Sequence, residues 1–218
     1  MKKTLRIWDL PTRLFHWLLV ICIAGAVICV NIGGNLMQWH AYFGYATLSL
    51  VLFRVLWGFI GAVHSRFTTF VPSPRRLIAF LSGKQGGGLG HSPLGSLSVI
   101  ALLLVVGIQA STGLFTDDDI AFQGPLAKYV PNATVSLFGS IHAFNSNILF
   151  GLIGLHLLAI AYYQWIKRAS IVMPMIQGDK EVDLERDGSG LPAFALHASK
   201  DGAPQRLTAL VSLCAIAF

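Results

Sequence analysis

The feature of this sequence that most constrains the fold is an apolar run at residues 140–166 that contains two histidines. About 20 apolar residues cross the hydrocarbon layer of a bilayer as a helix, so this run predicts a membrane span. His142 and His156 are fourteen residues apart. On a helix that spacing is about 40° around the axis and roughly 21 Å along it. Because an ionisable residue inside a span is costly and indicates a functional site, two histidines at two depths predict two partners elsewhere in the chain.

The composition places the chain among integral membrane proteins. It has 218 residues, of which 54% are hydrophobic and only 12% are charged, whereas soluble domains are about 25% charged. Four spans are predicted, at about residues 12–31, 40–63, 93–115 and 140–166. We therefore predict an all-α membrane protein: a four-helix transmembrane bundle in residues 1–178 and a tail, residues 179–218, of uncertain structure. The apolar end of the tail, residues 206–218, is too short to span and is either a surface helix or the start of an incomplete one.

The basic residues predict the orientation of the bundle. Lys and Arg are concentrated in the leader, in the second loop and in the tail, while the first loop has none and the third has only Lys128. Cytoplasmic loops carry the excess of Lys and Arg, so both termini should be cytoplasmic in a multi-pass protein of a bacterial inner membrane. The net charge of +6 does not indicate nucleic-acid binding, because these residues flank apolar runs and form no basic patch on a soluble domain.

This orientation assigns each histidine of the spans a depth. His40 and His142 fall at the outer face, and His16 and His156 lie toward the inside. Imidazole is a common metal ligand and an axial ligand of haem iron. Two histidines that face each other across a bundle can hold one haem, so the sequence predicts two haems stacked across the membrane. The other three histidines, His64, His91 and His197, fall in the cytoplasmic loop and tail and are expected to be solvated.

Several motifs resemble those of one family, the prokaryotic cytochrome b561 and Ni/Fe-hydrogenase or formate dehydrogenase b-type cytochrome subunits. They are WDLPTRLFHW at 8–17, WHAYFGY at 39–45, LFRVLWGFIGAVHSRF at 52–67, LGHSPLG at 89–95, TGLFTDDDIAFQGPLA at 112–127, and the two histidines of the fourth span. The likeness covers about residues 7–178. It implies a dihaem protein with four transmembrane helices, in which His16 and His156 bind the inner haem b and His40 and His142 bind the outer one.

Three further residues are candidates for contact with the haems. Arg54 follows His40 by fourteen residues and so lies near the level of the inner haem, where its guanidinium could pair with a propionate or could instead reach toward the cytoplasmic surface. Arg13 is a second candidate for a propionate. Gly44, one turn after His40, would let a porphyrin approach the helix closely.

With both axial positions filled, such haems transfer single electrons. The predicted function is transmembrane electron transfer between the membrane quinone pool, which the resemblance implies, and a periplasmic c-type cytochrome or oxidoreductase subunit. The alternative is a quinone-linked oxidase of a small species such as superoxide at the outer haem, which the acidic outer residues Asp117, Asp118 and Asp119 argue against. No catalytic residue is predicted. Besides lipid, quinone and the redox partner, the sequence leaves homo-oligomerisation open.

Overall fold

The structure is a computed structural model that describes residues 2–84, 87–118, 122–183 and 196–217. Within these residues two strands, β1 (Lys2–Arg6) and β2 (Asp179–Asp183), accompany the following helices: α1 (Leu10–Ile32), α2 (Met37–Ile60), α3 (Phe67–Phe70), α4 (Pro74–Leu81), α5 (Pro93–Gly113), α6 (Asn132–Ala161), α7 (Val172–Gln177) and α8 (Ala203–Ala217). Helices α1, α2, α5 and α6 are the long apolar ones, and each is long enough to cross a membrane. The predicted all-α membrane bundle is confirmed.

Local sequence signals account for several helix ends. Pro11 lies in the first turn of α1, and Gly33, with a φ of 73°, follows its last residue. Helix α5 begins at Pro93, and the Ser92 hydroxyl accepts the N–H of Gly95 at 3.1 Å. These are the roles expected of proline at a first turn and of serine at an N-cap, and a positive φ after the helix is a conformation that glycine adopts readily.

Helix α6 is longer than the predicted fourth span. It begins at Asn132 instead of near residue 140, and a π-helical turn, Tyr162–Ile166, continues it. His142 therefore lies about three turns inside the helix and does not open it.

The bundle is a chain of neighbouring helices in which α1 packs on α2, α2 on α5, and α5 on α6. Halfway along, Val51, Val106 and Leu149 form a buried apolar cluster, against which Leu19 and Ile23 also pack. This cluster joins α1, α2, α5 and α6 at mid-height. It separates the end of the bundle that holds His16 and His156 from the end that holds His40 and His142.

A two-stranded sheet ties the two ends of the chain together. Strands β1 and β2 pair antiparallel, with Lys2 opposite Asp183 and Arg6 opposite Asp179. Leu5, Ile7, Trp8 and Val182 bury their side chains against Leu89 of the second loop. Leader, second loop and tail thus meet at one end of the bundle, here called the sheet end. The opposite end is called the far end.

The apolar C-terminal segment is a helix packed against the bundle. Helix α8 contacts α2 and α1, and Ala209 is buried in a cluster with Phe15, Phe53 and Trp57. At its start, Asp201 accepts the backbone N–H of Leu10 at 3.1 Å and forms ion pairs with Arg6 and Arg206. The tail is therefore part of the fold.

Candidate functional site

His40 and His142 face each other at the far end of the bundle. Their ring centroids are 6.4 Å apart and the ring planes cross at 80°. The Nδ1 of His40 lies 2.9 Å from the carbonyl oxygen of Ala26, and the Nδ1 of His142 lies 2.9 Å from that of Gln109. Because a carbonyl oxygen only accepts, each Nδ1 must carry the proton and donate it. Each Nε2 is then left with a free lone pair, which is the arrangement that metal-binding histidines use.

The spacing of these rings leaves room for one metal ion. A histidine nitrogen lies about 2.0 Å from a bound metal, and the ring centroid is about 1 Å beyond the nitrogen. Two imidazoles on opposite sides of one metal should therefore have centroids about 6 Å apart, and 6.4 Å is found. Among the described residues no three His, Cys, Asp or Glu side chains gather as a metal site, so this site offers two protein ligands.

Polar residues of α5 and α6 hold His142 in place. The Thr112 hydroxyl is 3.2 Å from His142 Nδ1. Asn145 donates to the Gln109 side chain at 2.7 Å and to the Val105 carbonyl at 3.0 Å. A Cβ on Gly113 would lie only 3.1 Å from His142 Cε1, so the ring fits because this residue is glycine. The sequence analysis missed these residues, although polar side chains inside an apolar span were a usable signal.

His16 and His156 occupy the sheet end, as predicted, but are not arranged like the far-end pair. The ring of His16 contacts that of Trp17 edge-on, with centroids 5.0 Å apart, and among the described residues no ring contact joins His16 to His156. The Nδ1 of His16 is buried and has no hydrogen-bond partner. A buried nitrogen without a partner is costly and is consistent with a missing ligand at this position.

Arg54 lies deep within the protein at the same end. It is 2% exposed, so the side chain does not reach the aqueous surface. Its guanidinium carbon lies 5.6 Å from the ring centroids of both Phe67 and Phe70, and Nη1 has no hydrogen-bond partner. A buried guanidinium with a free donor fits a carboxylate supplied by a cofactor, and the contact with a propionate remains a prediction.

The buried carboxylate of Asp9 already accepts hydrogen bonds from protein donors on both of its oxygens. It is 0% exposed, with Oδ1 accepting from Thr12 and Ser65 at 2.7 Å each and Oδ2 accepting from the Trp57 indole at 2.8 Å. This network fixes the start of α1 to the end of α2. It leaves Asp9 outside an ion-pair contact with Arg54.

Arg13 binds the tail. Its Nη1 donates to the Ile176 carbonyl at 2.6 Å, and its Nη2 is 3.7 Å from Asp201. Its contact with a propionate stays a prediction, now with competing protein partners. Beside Gly44 the space is open, because a Cβ there would have no neighbour within 4 Å. The predicted approach of a porphyrin therefore remains available.

The prediction that His64 and His91 are solvated is wrong. His64 is 3% exposed, and its Nε2 donates to the His197 carbonyl at 2.9 Å. His91 packs between Trp8 and Phe70, with ring centroids at 4.6 and 5.2 Å. Burial, aided by the nearby charge of Arg54, lowers the pKa of His91 to about 3, so its ring is neutral. Both were missed because the second loop folds back onto leader and tail, which are distant in sequence.

Comparison with known proteins identifies the family. A family model described as prokaryotic cytochrome b561 matches residues 7–178. The chain belongs to the prokaryotic cytochrome b561 family. Similar proteins include the probable Ni/Fe-hydrogenase 1 B-type cytochrome subunit of Escherichia coli K12, 24% identical over 135 residues, or 49% of this chain and 57% of that protein. The chain thus spans a little over half the length of that relative.

Two further relatives match over a larger share of this cytochrome. The probable Ni/Fe-hydrogenase B-type cytochrome subunit of Azotobacter chroococcum mcd 1 is 24% identical, covering 79% of this chain and 86% of its own. Its counterpart in Bradyrhizobium diazoefficiens is 23% identical, covering 83% and 87%. This cytochrome is therefore a multi-pass membrane protein of a family that implies haem b.

Proposed function

We propose that this cytochrome holds two b-type haems and carries single electrons across a bacterial inner membrane. The observation that carries the proposal is the far-end pair, in which His40 and His142 lie 6.4 Å apart with each Nδ1 bonded to a main-chain carbonyl. His16 and His156 supply the second pair at the sheet end. Haem contributes one-electron redox chemistry, and the protein sets its position, its ligands and its exclusion from water.

The chain's own residues define what each site can do. With His40 and His142 as its two ligands, a haem at the far end would have no coordination position left for oxygen or substrate, and His16 and His156 would have the same effect on a haem at the sheet end. The main-chain carbonyls of Ala26 and Gln109 keep both far-end imidazoles in one tautomer and raise their basicity as ligands. The apolar cluster at mid-height separates the two sites. Burial of the sites would limit the transfer of electrons and protons between the haems and water.

The sheet end is proposed to face the cytoplasm. Leader, second loop and tail carry most of the Lys and Arg residues, and the pairing of β1 with β2 supports their lying on one side. The positive-inside tendency then directs the far end, with its Asp117 and Asp118, toward the periplasm.

Two partners follow from this arrangement. At the inner site we propose exchange with a membrane quinone, and at the outer site exchange with a periplasmic redox protein. Relatives named as Ni/Fe-hydrogenase cytochrome subunits support an oxidoreductase subunit as that partner over a c-type cytochrome. The superoxide alternative has less support, because acidic side chains near the far end would repel an anionic substrate.

Reconstitution into vesicles tests this proposal. The purified cytochrome, inserted in liposomes that contain a quinol in the bilayer, should reduce an impermeant acceptor placed on the far-end side. His142→Ala should abolish this reduction while a haem remains reducible by quinol. Equal rates for this variant and the unmodified protein, or no reduction by either, would contradict transmembrane transfer.

A further inference from the structure

A small cavity at the sheet end has no assigned role. It has a volume of about 20 Å³ and is lined by residues of the second loop, including His64, Thr69, Arg76 and His91. A volume near that of one water-sized probe admits a single small polar group. Phosphate or a quinone ring would not fit without rearrangement.

The cavity is surrounded by donors that lack acceptors. Thr69 Oγ1, Arg76 Nε and His91 Nδ1 are buried without hydrogen-bond partners, and Thr69 is only 7% exposed. On the other side of Phe70, whose ring contacts both Arg54 and His91, Arg54 is 2% exposed and Nη1 is also unpartnered. A buried polar group without a hydrogen-bond partner is costly, so the three at the cavity and the fourth across Phe70 indicate an acceptor that the described protein groups do not supply.

The acceptor should be a carboxylate from outside the described protein groups. Arginine donors suit carboxylate geometry, and Asp9, the buried carboxylate nearby, already accepts three hydrogen bonds. Gly88, with a φ of 90°, makes room for the Arg76 side chain, because a Cβ at position 88 would lie 2.7 Å from Arg76 Nη2. The backbone is therefore shaped to bring this guanidinium to the cavity.

We propose that this cavity binds one propionate carboxylate of the haem held by His16 and His156, with Thr69, Arg76 and His91 donating to it. Its position supports this source, because Phe70 in the cavity wall contacts Arg54. Phe53, next to Arg54 in the chain, packs in one cluster with Phe15, the residue before His16. Arg54, on the other side of Phe70, is assigned to the same propionate end of this haem. The inference rests on the proposed function, since it requires an inner haem. It assigns the second loop a role in holding that haem.

Infrared spectroscopy of the intact holoprotein tests the inference. Haem labelled with ¹³C at its propionate carboxylates gives carboxylate bands in reduced-minus-oxidised difference spectra. Arg76→Gln and Thr69→Ala should each shift the labelled bands of one haem, and Arg76→Gln should also lower that haem's midpoint potential, because a positive charge is lost. Matched controls are Arg75→Gln and Thr68→Ala, which alter exposed neighbours and should leave bands and potential unchanged.

Each other outcome overturns the inference. Labelled bands that stay in place in both variants would mean that no propionate enters the cavity. If those bands stay in place while the effect of Arg76→Gln on the potential depends on added formate, the cavity binds a free carboxylate instead. Thr69→Ala removes only one hydroxyl and one methyl group, so it provides a test even where Arg76→Gln fails to assemble. Absence of an inner haem in the unmodified protein would instead refute the proposed function itself.

Discussion

Replacing Gly113 by alanine should weaken the outer haem site selectively. The added Cβ would lie 3.1 Å from His142 Cε1 and 3.5 Å from its Nδ1. Carbon atoms in contact prefer about 3.5–4.0 Å, so the ring must move by roughly half an ångström. Overpacking of this kind costs about 1–3 kcal/mol, which corresponds to roughly 5- to 150-fold weaker haem retention.

Transfer of haem from the purified protein to excess apomyoglobin measures this retention, with electron paramagnetic resonance separating the two haems. The control is Gly107→Ala in the same helix, because its Cβ would meet Val51 only at 3.7 Å, an ordinary contact. Both variants gain the same helix propensity, about 1 kcal/mol. Equal retention of the outer haem in both variants would show that close packing of His142 on α5 does not govern this site.

Three other variants test the surroundings of the sites. Trp57→Phe removes the indole donor to the buried Asp9 carboxylate and should lower the free energy of unfolding by about 1.5–3 kcal/mol in detergent. An unchanged free energy of unfolding would show that this hydrogen bond does not stabilise the fold. Asp201→Asn should speed tryptic cleavage after Arg206, because three arginines lose their shared acceptor. In the unmodified protein, burial alone would raise the pKa of Asp201. Hydrogen bonds from Leu10, Arg206 and Arg6 outweigh burial and lower this pKa below 3.8. The stabilisation should therefore be complete above about pH 4 and be lost as the pH falls through the lower folded-state pKa of Asp201. Peptic cleavage within α8 should report this loss at acidic pH, whereas fast tryptic cleavage after Arg206 in the unmodified protein at pH 6 would contradict it. The combined substitutions Asp117→Asn, Asp118→Asn and Asp119→Asn remove the negative charge of the far-end loop. They should slow electron transfer to a basic partner at low salt only. Unchanged rates at all salt concentrations would refute a docking role.

The four spans and the grouping of the histidines could be predicted from the sequence because both depend on local or periodic information. Apolar length determines a span, and a spacing of fourteen residues determines a shared helix face. These rules placed His40 and His142 at one end and His16 and His156 at the other, as the structure does. The start of α6 at Asn132 was missed, because residues 132–139 mix polar and apolar side chains.

What the sequence did not reveal depends on contacts between distant segments. Strand β1 pairs with β2 across more than 170 residues, as the ion pair of Arg6 with Asp179 illustrates. The same packing buries His64 and places His91 against Trp8 and Phe70, although both histidines were predicted to be solvated. Asp9 and Arg13 have the i,i+4 spacing of a helical ion pair. In the fold, however, Asp9 accepts hydrogen bonds from Thr12, Ser65 and Trp57, and Arg13 pairs with Asp201.

The acidic residues of the third loop are a further case in which the sequence pattern alone does not predict the local structure. By sequence, one aspartate of the Asp117, Asp118 and Asp119 run could cap a short helix over residues 120–130. Among the described residues of that stretch, only Ala127–Tyr129 are helical, as a single 3₁₀ turn. Asp118 instead accepts the N–H of Phe122 at 2.8 Å, and Asp117 bridges to Gln123. Asp119 and residues 120–121 lie outside the described residues.

The ratio of haem b to protein in the purified cytochrome tests the central claim most directly. We expect two haems per chain, both low-spin and both extractable with acidified acetone. His142→Ala should leave one haem, and His16→Ala should leave the other, distinguished by their resonance signals. A ratio of one or none in the unmodified protein, or loss of the same signal in both variants, would contradict the assignment of two histidine pairs to two haems.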